Sequence, residues 1–175
     1  GHTLYNLTIN DSATANMGES YCVAFIRTNN GTVKNLNFAS PRISTNALST
    51  GGFSGAAVIV GDNANGSLIS GCVVTDAVVY APHLPKAAGI AVLNARTTNI
   101  NATVSRCVFE GTLTLGPRTG NYGPMAGGVA AYSATSTIEY CVVNADIIYK
   151  GNESIQSSNI YAGIICGYSN RVTYR

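Results

Sequence analysis

The chain has little charge, no tryptophan and no long apolar run, and most of these shortages close off a class of protein. Asp, Glu, Lys and Arg together make up 10% of the 175 residues, and the net charge is +2. Disordered chains are charged and poor in apolar residues, whereas 46% of this chain is apolar, enough to build a core. Nucleic-acid binding needs clustered bases, and the ten Lys and Arg are scattered. A membrane-spanning helix needs about 18 unbroken apolar residues, and stretches such as Ala56 to Val60 stop far short of that. No CxxC pair, no phosphate-binding glycine loop and no nucleophile motif near His2 or His83 is present. No basic or apolar leader precedes Gly1-His2, so any signal peptide is expected to have been removed or never included. The length suits one domain rather than two.

What is abundant is Gly (19 residues), with many Asn, Ser and Thr, a composition associated with extracellular β-rich arrays. Sequons start at Asn6, Asn10, Asn30, Asn65, Asn101 and Asn152, and would matter only in a eukaryotic secretory setting. Internal repetition carries more information. The segments Leu4–Ile9, Val33–Phe38, Ile69–Val74, Val104–Phe109 and Ile138–Val143 each place apolar residues at positions 1, 4 and 6. Their first residues are 29, 36, 35 and 34 apart, and a further copy is expected at Val172. Positions 4 and 6 follow the strand period of two. The step from 1 to 4 needs a one-residue kink, for which Asn6, Asn35 and Gly71 are suitable types.

A second strand is expected in Cys22 to Ile26, Gly55 to Ile59, Gly89 to Leu93, Gly128 to Tyr132 and Gly163 to Cys166, and a third in Ala77 to Tyr80, Thr112 to Leu115 and Asp146 to Tyr149. Three short strands per 34–36 residues, without helical periodicity, predict an all-β right-handed parallel β-helix of about five coils. A propeller blade of similar period would need four antiparallel strands and hairpin turns.

Gly31-Thr32-Val33-Lys34-Asn35-Leu36, Ala88-Gly89-Ile90-Ala91-Val92 and the Ile-x-x-Cys-Val-Val copies resemble the GLUG-type repeats of bacterial surface and adhesin-like proteins. There a Gly-Gly-Leu-Val-Gly strand precedes a Gly-Thr-Ile-x-Asn-Cys strand. The resemblance spans nearly the whole chain and implies the coil together with a cell-surface setting. The chain departs from the pattern in lacking most of the terminal glycines of the second strand and in its 7–13-residue loops.

Cys72, Cys107 and Cys141 share position 4 of consecutive copies, with Leu36 and Leu7 below, so they are expected to be reduced inward core residues. No cofactor or metal is expected. Asp76, Glu110 and Asp146 are expected between the second and third strands of successive coils, and stacking would bring them within roughly 5–10 Å, the span used by glycoside hydrolases. Acids are also ordinary turn residues, and these three do not share a register. The longest loops each carry a base, Arg42, Lys86, Arg118 and Lys150, which would give either a ridge for anionic glycans or lone solubilising charges. Tyr132, Tyr140, Tyr168 and Tyr174 are expected on one corner, as a sugar-stacking platform or as structural rungs.

The leading expectation is a non-catalytic extracellular or cell-surface module for adhesion or for glycan binding or display, with host or environmental glycans as partners. The alternatives are a self-assembling fibre or coat subunit and a polysaccharide-active enzyme using Glu110 with Asp76 or Asp146. Arg175 is expected where earlier copies place the inward Cys or Leu. The last coil then lacks its third strand, so flanking coils in a longer protein, or end-to-end association, are expected.

Overall fold

The computed structural model describes residues 1–13, 16–18, 20–49, 51–64, 66–97, 101–117, 123–151 and 160–175, with side chains of 16 and 17 outside the description. The described residues form parallel strands and no helix, so none is long and apolar enough to cross a membrane. The strands stack as a parallel β-solenoid with three faces. Face 1 holds His2–Tyr5 with Thr8–Asp11, Leu36–Ala39 with Arg42–Thr45, then Val73–Ala81, Val108–Leu115 and Val142–Tyr149. Face 2 holds Cys22–Val23, Gly55–Ala57, Lys86–Ala88, Met125–Gly127 and Tyr161–Gly163. Face 3 holds Ile26–Asn29 with Thr32–Lys34, Val60–Asn63 with Leu68–Ser70, Ala91–Asn94 with Ala102–Ser105, then Ala130–Glu139 and Cys166–Tyr174. The chain returns to face 1 four times, which gives about four turns; each face is five rungs deep because two strands begin a further turn.

The repeat hexads straddle the corner between faces 3 and 1. Their kink residues Asn35, Gly71, Arg106 and Tyr140 all take the left-handed conformation, with φ of 56°, 63°, 53° and 53°. One left-handed residue turns the chain through the corner, and each amide there bonds a carbonyl of the coil above: Asn35 to Ser70, Gly71 to Ser105, Arg106 to Glu139 and Tyr140 to Arg175. A side chain at Gly71 would also run into the Asn35 Oδ1, 2.6 Å from its Cβ. A second left-handed column, Asn6, Ser40 and Asp76, bends face 1 in the lower coils. That bend ends at the register shift between Val74 and Ala77, above which Val108–Leu115 and Val142–Tyr149 run through unbroken.

The central columns match expectation: Val33, Ile69, Val104 and Ile138 stack, as do Phe38, Val74, Phe109 and Val143. Both end copies differ. Leu4 stacks on Phe38 and Ile9 on Ile43, so Leu4-Tyr5-Asn6-Leu7-Thr8-Ile9 spans the face 1 bend rather than the corner. Leu7 therefore lies outside the cysteine column. At the other end Tyr174, not Val172, stacks on Ile138, and Arg175 lies beside Glu139 at 3.9 Å rather than above Cys141. The expected second strands also shift. Gly55 pairs with Lys86 rather than Gly89, because residues 58–59, 89–90 and 128–129 form the bend between faces 2 and 3. The expected third strands are the far halves of the face 1 strands.

Inside, Phe38, Ile43, Ile69, Val74, Val79, Ile90, Phe109 and Leu113 are at most 1% exposed. Burying side chains of this size stabilises by roughly 1.5–3 kcal/mol each. A second apolar cluster fills the outer angle between faces 2 and 3, around Ala57, Ala88, Leu93, Met125 and Tyr132. Polar groups inside the solenoid form a ladder. Asn29 Nδ2 donates to Asn63 Oδ1 (2.8 Å), Asn63 Nδ2 to Asn94 Oδ1 (2.9 Å), and Asn94 Nδ2 to Ser133 Oγ (3.2 Å). Each rung satisfies its neighbour, so these buried amides hold the coils in register without an orphaned group.

Candidate functional site

Face 1 turns alternate residues outward, and parallel pairing stacks them in columns. One column runs Thr8, Arg42, Val78, Thr112, Asp146; the next, two residues along, runs Asn10, Ser44, Tyr80, Thr114, Ile148. Glu110 pairs with Asn144, one step to the other side of Asp146. Asp76 sits at the bulge below Glu110, where coil three carries an extra residue. These positions gather the three acids around one shallow cleft of about 210 Å3, lined by Asp76, Val78, Glu110, Thr112, Asn144 and Asp146. As expected they occupy different registers: Glu110 opposes Asn144 and Asp146 opposes Thr112.

Arg42 is tied to Asp76 at the edge of the cleft rather than standing in a basic ridge. Its Nη2 lies 3.1 Å from Asp76 Oδ2, and its Nη1 donates to the Asp76 carbonyl. Hydrogen bonding from Ser40, then from Arg42 with its charge, holds the Asp76 carboxyl below the usual range. Lys86 departs further from the ridge. It opens a face 2 strand, is 0% exposed, and its Nζ donates to the Gly52 carbonyl and lies 5.7 Å from the Phe53 ring centre. Burial pushes its amine down to about 8, partly opposed by the Cys22 sulfur. Lys150 is exposed, and Arg118 lies outside the described residues.

The tyrosines divide between two places. Tyr132 and Tyr168 stack face to face, with centroids 5.4 Å apart and planes 8° apart, in the outer angle of faces 2 and 3. Phe53 meets Tyr132 edge-on at 5.7 Å, and Tyr161 meets Tyr168 edge-on at 5.3 Å, so the row is a packed aromatic stack across coils. Tyr140 lies a corner away with Arg106 over its ring at 5.8 Å. Together with Tyr174, Cys141 and Arg175 it lines a cleft of about 290 Å3 at the open face of the last coil. The four rings therefore form no single platform.

Cys72 and Cys107 face inward and are at most 1% exposed, Cys141 is half-buried, and all five cysteines are free thiols. Cys107 hydrogen-bonds with both neighbours. Those bonds push its own thiol up and lower the other two, Cys72 to about 7. His83 is exposed in its turn. Two features escaped the sequence reading. The Asn29–Asn63–Asn94 ladder was signalled only by Asn at intervals of 34 and 31 residues at strand ends, and Tyr80 by its outward position two residues from Val78.

The fold and this surface define the class, a parallel β-solenoid with a polar cleft on the outside of one face. Comparison with protein-family models, curated proteins and solved structures gave no match.

Proposed function

We propose that the chain is a non-catalytic module of an extracellular or cell-surface protein that binds a neutral glycan across the outside of face 1. The observation that carries this reading is the cleft formed by Asp76, Glu110, Thr112, Asn144 and Asp146, with Tyr80 42% exposed on the same outer side. Carboxylates, an amide and a hydroxyl supply acceptors and donors for sugar hydroxyls, and a tyrosine ring offers an apolar face and a polar tip. A neutral ligand suits the site better than an anionic one, because Arg42 is occupied by Asp76 and Lys86 is sealed in. The low charge and the richness in Asn, Ser, Thr and Gly support the surface setting. A panel of neutral polysaccharides tested by calorimetry decides the matter. Tyr80→Ala and Asp146→Asn should each weaken binding about tenfold or more, with unchanged melting temperature. Binding indifferent to both variants, or no binding to any neutral glycan, overturns the reading.

The gathering of all three acids also favours a second reading, glycoside cleavage with Glu110 as the proton donor and Asp76 or Asp146 as its partner. Reducing-sugar release by the wild type that vanishes in Glu110→Gln would replace binding with catalysis. Release equal in both proteins would eliminate it.

A further inference from the structure

The outer side of face 1 alternates along the stack as well as along its strands. In the column Asn10, Ser44, Tyr80, Thr114, Ile148, the side chains of Tyr80 and Ile148 are exposed, while Thr114 between them is short and buried. Exposed apolar groups thus stand on the third and fifth rungs of one column, about 9.6 Å apart, or two strand spacings. The cleft runs beside this column. Coil three carries an extra residue between Val74 and Ala77, and Asp76 there takes the left-handed conformation at the cleft wall. Val78, Thr112 and Asp146 line the hollow at one register position, and Glu110 and Asn144 line it two residues to the side. The hollow is therefore three rungs long and two residues wide, about 9.6 Å along the stack and about 6.6 Å along the strands. The ion pair of Asp76 with Arg42, one rung down, bounds its lower edge.

We propose, on the premise that face 1 binds a neutral glycan, that the ligand is an extended β-1,4-linked hexose chain lying along the solenoid axis, one sugar per rung, over the third to fifth rungs. A β-1,4 chain is a flat ribbon in which each sugar is turned over relative to the one before it, so the same apolar face returns at every second sugar. Each sugar advances the ribbon by about one strand spacing. The returning face meets Tyr80 and then Ile148. Hydroxyls along one edge of the ribbon meet Thr112, Asn144 and the carboxylates of Glu110 and Asp146. Those carboxylates repel a chain of uronic acids, which keeps the ligand neutral. A chain laid across the strands would reach one apolar residue and leave the other unused. An α-1,4 chain curls and loses the two-rung match.

Calorimetry tests the axial chain with β-1,4-linked oligomers of glucose, mannose and N-acetylglucosamine, one to six units long, against α-1,4-linked glucose oligomers of the same lengths. In at least one β-linked series the affinity is expected to rise about tenfold from two units to three, the length that first reaches both apolar residues. At three units that series should bind about tenfold more tightly than the α-linked chain. Tyr80→Ala and Ile148→Ser should each remove the gain from two units to three without moving the melting temperature, because both side chains point outward. Ser44→Ala, in the same column below the ion pair, should leave the gain within about twofold. Neutral-glycan binding confined to other linkages, no gain beyond a single sugar, or a gain that survives both variants overturns the axial chain and leaves glycan binding standing. No binding to any neutral glycan overturns both.

Discussion

Strands Val73–Ala81 and Val142–Tyr149 lie on the same face and alternate apolar residues in the same way, yet one is sealed and the other is not. Val74 and Val79 are 0% exposed, whereas their equivalents Val143 and Ile147 are only half-buried and Val142 is 62% exposed. The difference lies in the neighbours, because a coil in a solenoid is buried by the coils on either side of it. Face 3 shows the same gradient. Its ladder residues run from Asn63 and Asn94, both 0% exposed, to an exposed Ser169 at the last rung. Burial in this protein is thus a property of position in the stack, and identical chemistry should have unequal consequences along it.

The largest inequality is expected within the cysteine column. Cys107→Asp buries a carboxylate with no partner and should cost on the order of 3–5 kcal/mol. Cys141→Asp, at the cleft, should cost about 1 kcal/mol or less, since water reaches the new charge. Denaturant titration of both variants measures the gap, and equal destabilisation would mean that the column is misplaced or its top is closed.

Lys86 sharpens the comparison by pH. Its amine is held at about 8 in the folded protein against the ordinary 10.5. Between those values the unfolded chain binds the extra proton, so stability gains with rising pH across that window. Below pH 8 the full cost of burying the charge remains, and above 10.5 it is gone. The stability of the wild type relative to Lys86→Met should therefore climb on the order of 3 kcal/mol from pH 8 to 10.5. A flat difference would place the amine in water.

A smaller effect is expected from the ladder. Asn63→Ala leaves Asn29 Nδ2, Ser67 Oγ and Asn94 Oδ1 without their Asn63 partner, because Asn63 Oδ1 accepts from Asn29 and Ser67 while its Nδ2 donates to Asn94 Oδ1. The loss should be about 1–3 kcal/mol. Ser169→Ala at the exposed last rung should stay within about 0.5 kcal/mol. Thermal melts that shift equally would contradict a ladder graded by burial.

The solenoid was legible because the middle hexads repeat a Val/Ile, Cys, Val/Phe signature that only stacking explains, and the columns through Ile69, Cys107 and Phe109 follow it. The ends were misread for a physical reason. Leu4, Leu7 and Ile9 copy the hexad spacing while folding around the left-handed Asn6 of another bend, and the last step from Ile138 to Tyr174 is two residues longer than the one before it. Face 2 was misplaced because its alanine- and glycine-rich strands read like the adjoining bend, and Lys86, a charged residue in an inter-strand segment, gave no sign of being covered. The acids around the cleft were legible as a set. Their pairing with Arg42 was not, since that contact crosses one rung and two residues.

Amide hydrogen exchange under native conditions tests the gradient most directly. In Val108–Leu115 both edges of the strand are bonded to a neighbouring coil, whereas Val142–Tyr149 is bonded on one side, to the coil below. Amides of the inner strand are expected to exchange only through global unfolding, while alternate amides of the outer strand, those aimed away from the stack, exchange through local opening at far lower free energy. Uniform protection along both strands, or faster exchange in Val108–Leu115 than in Val142–Tyr149, would contradict a solenoid sealed at its middle and open at its last coil.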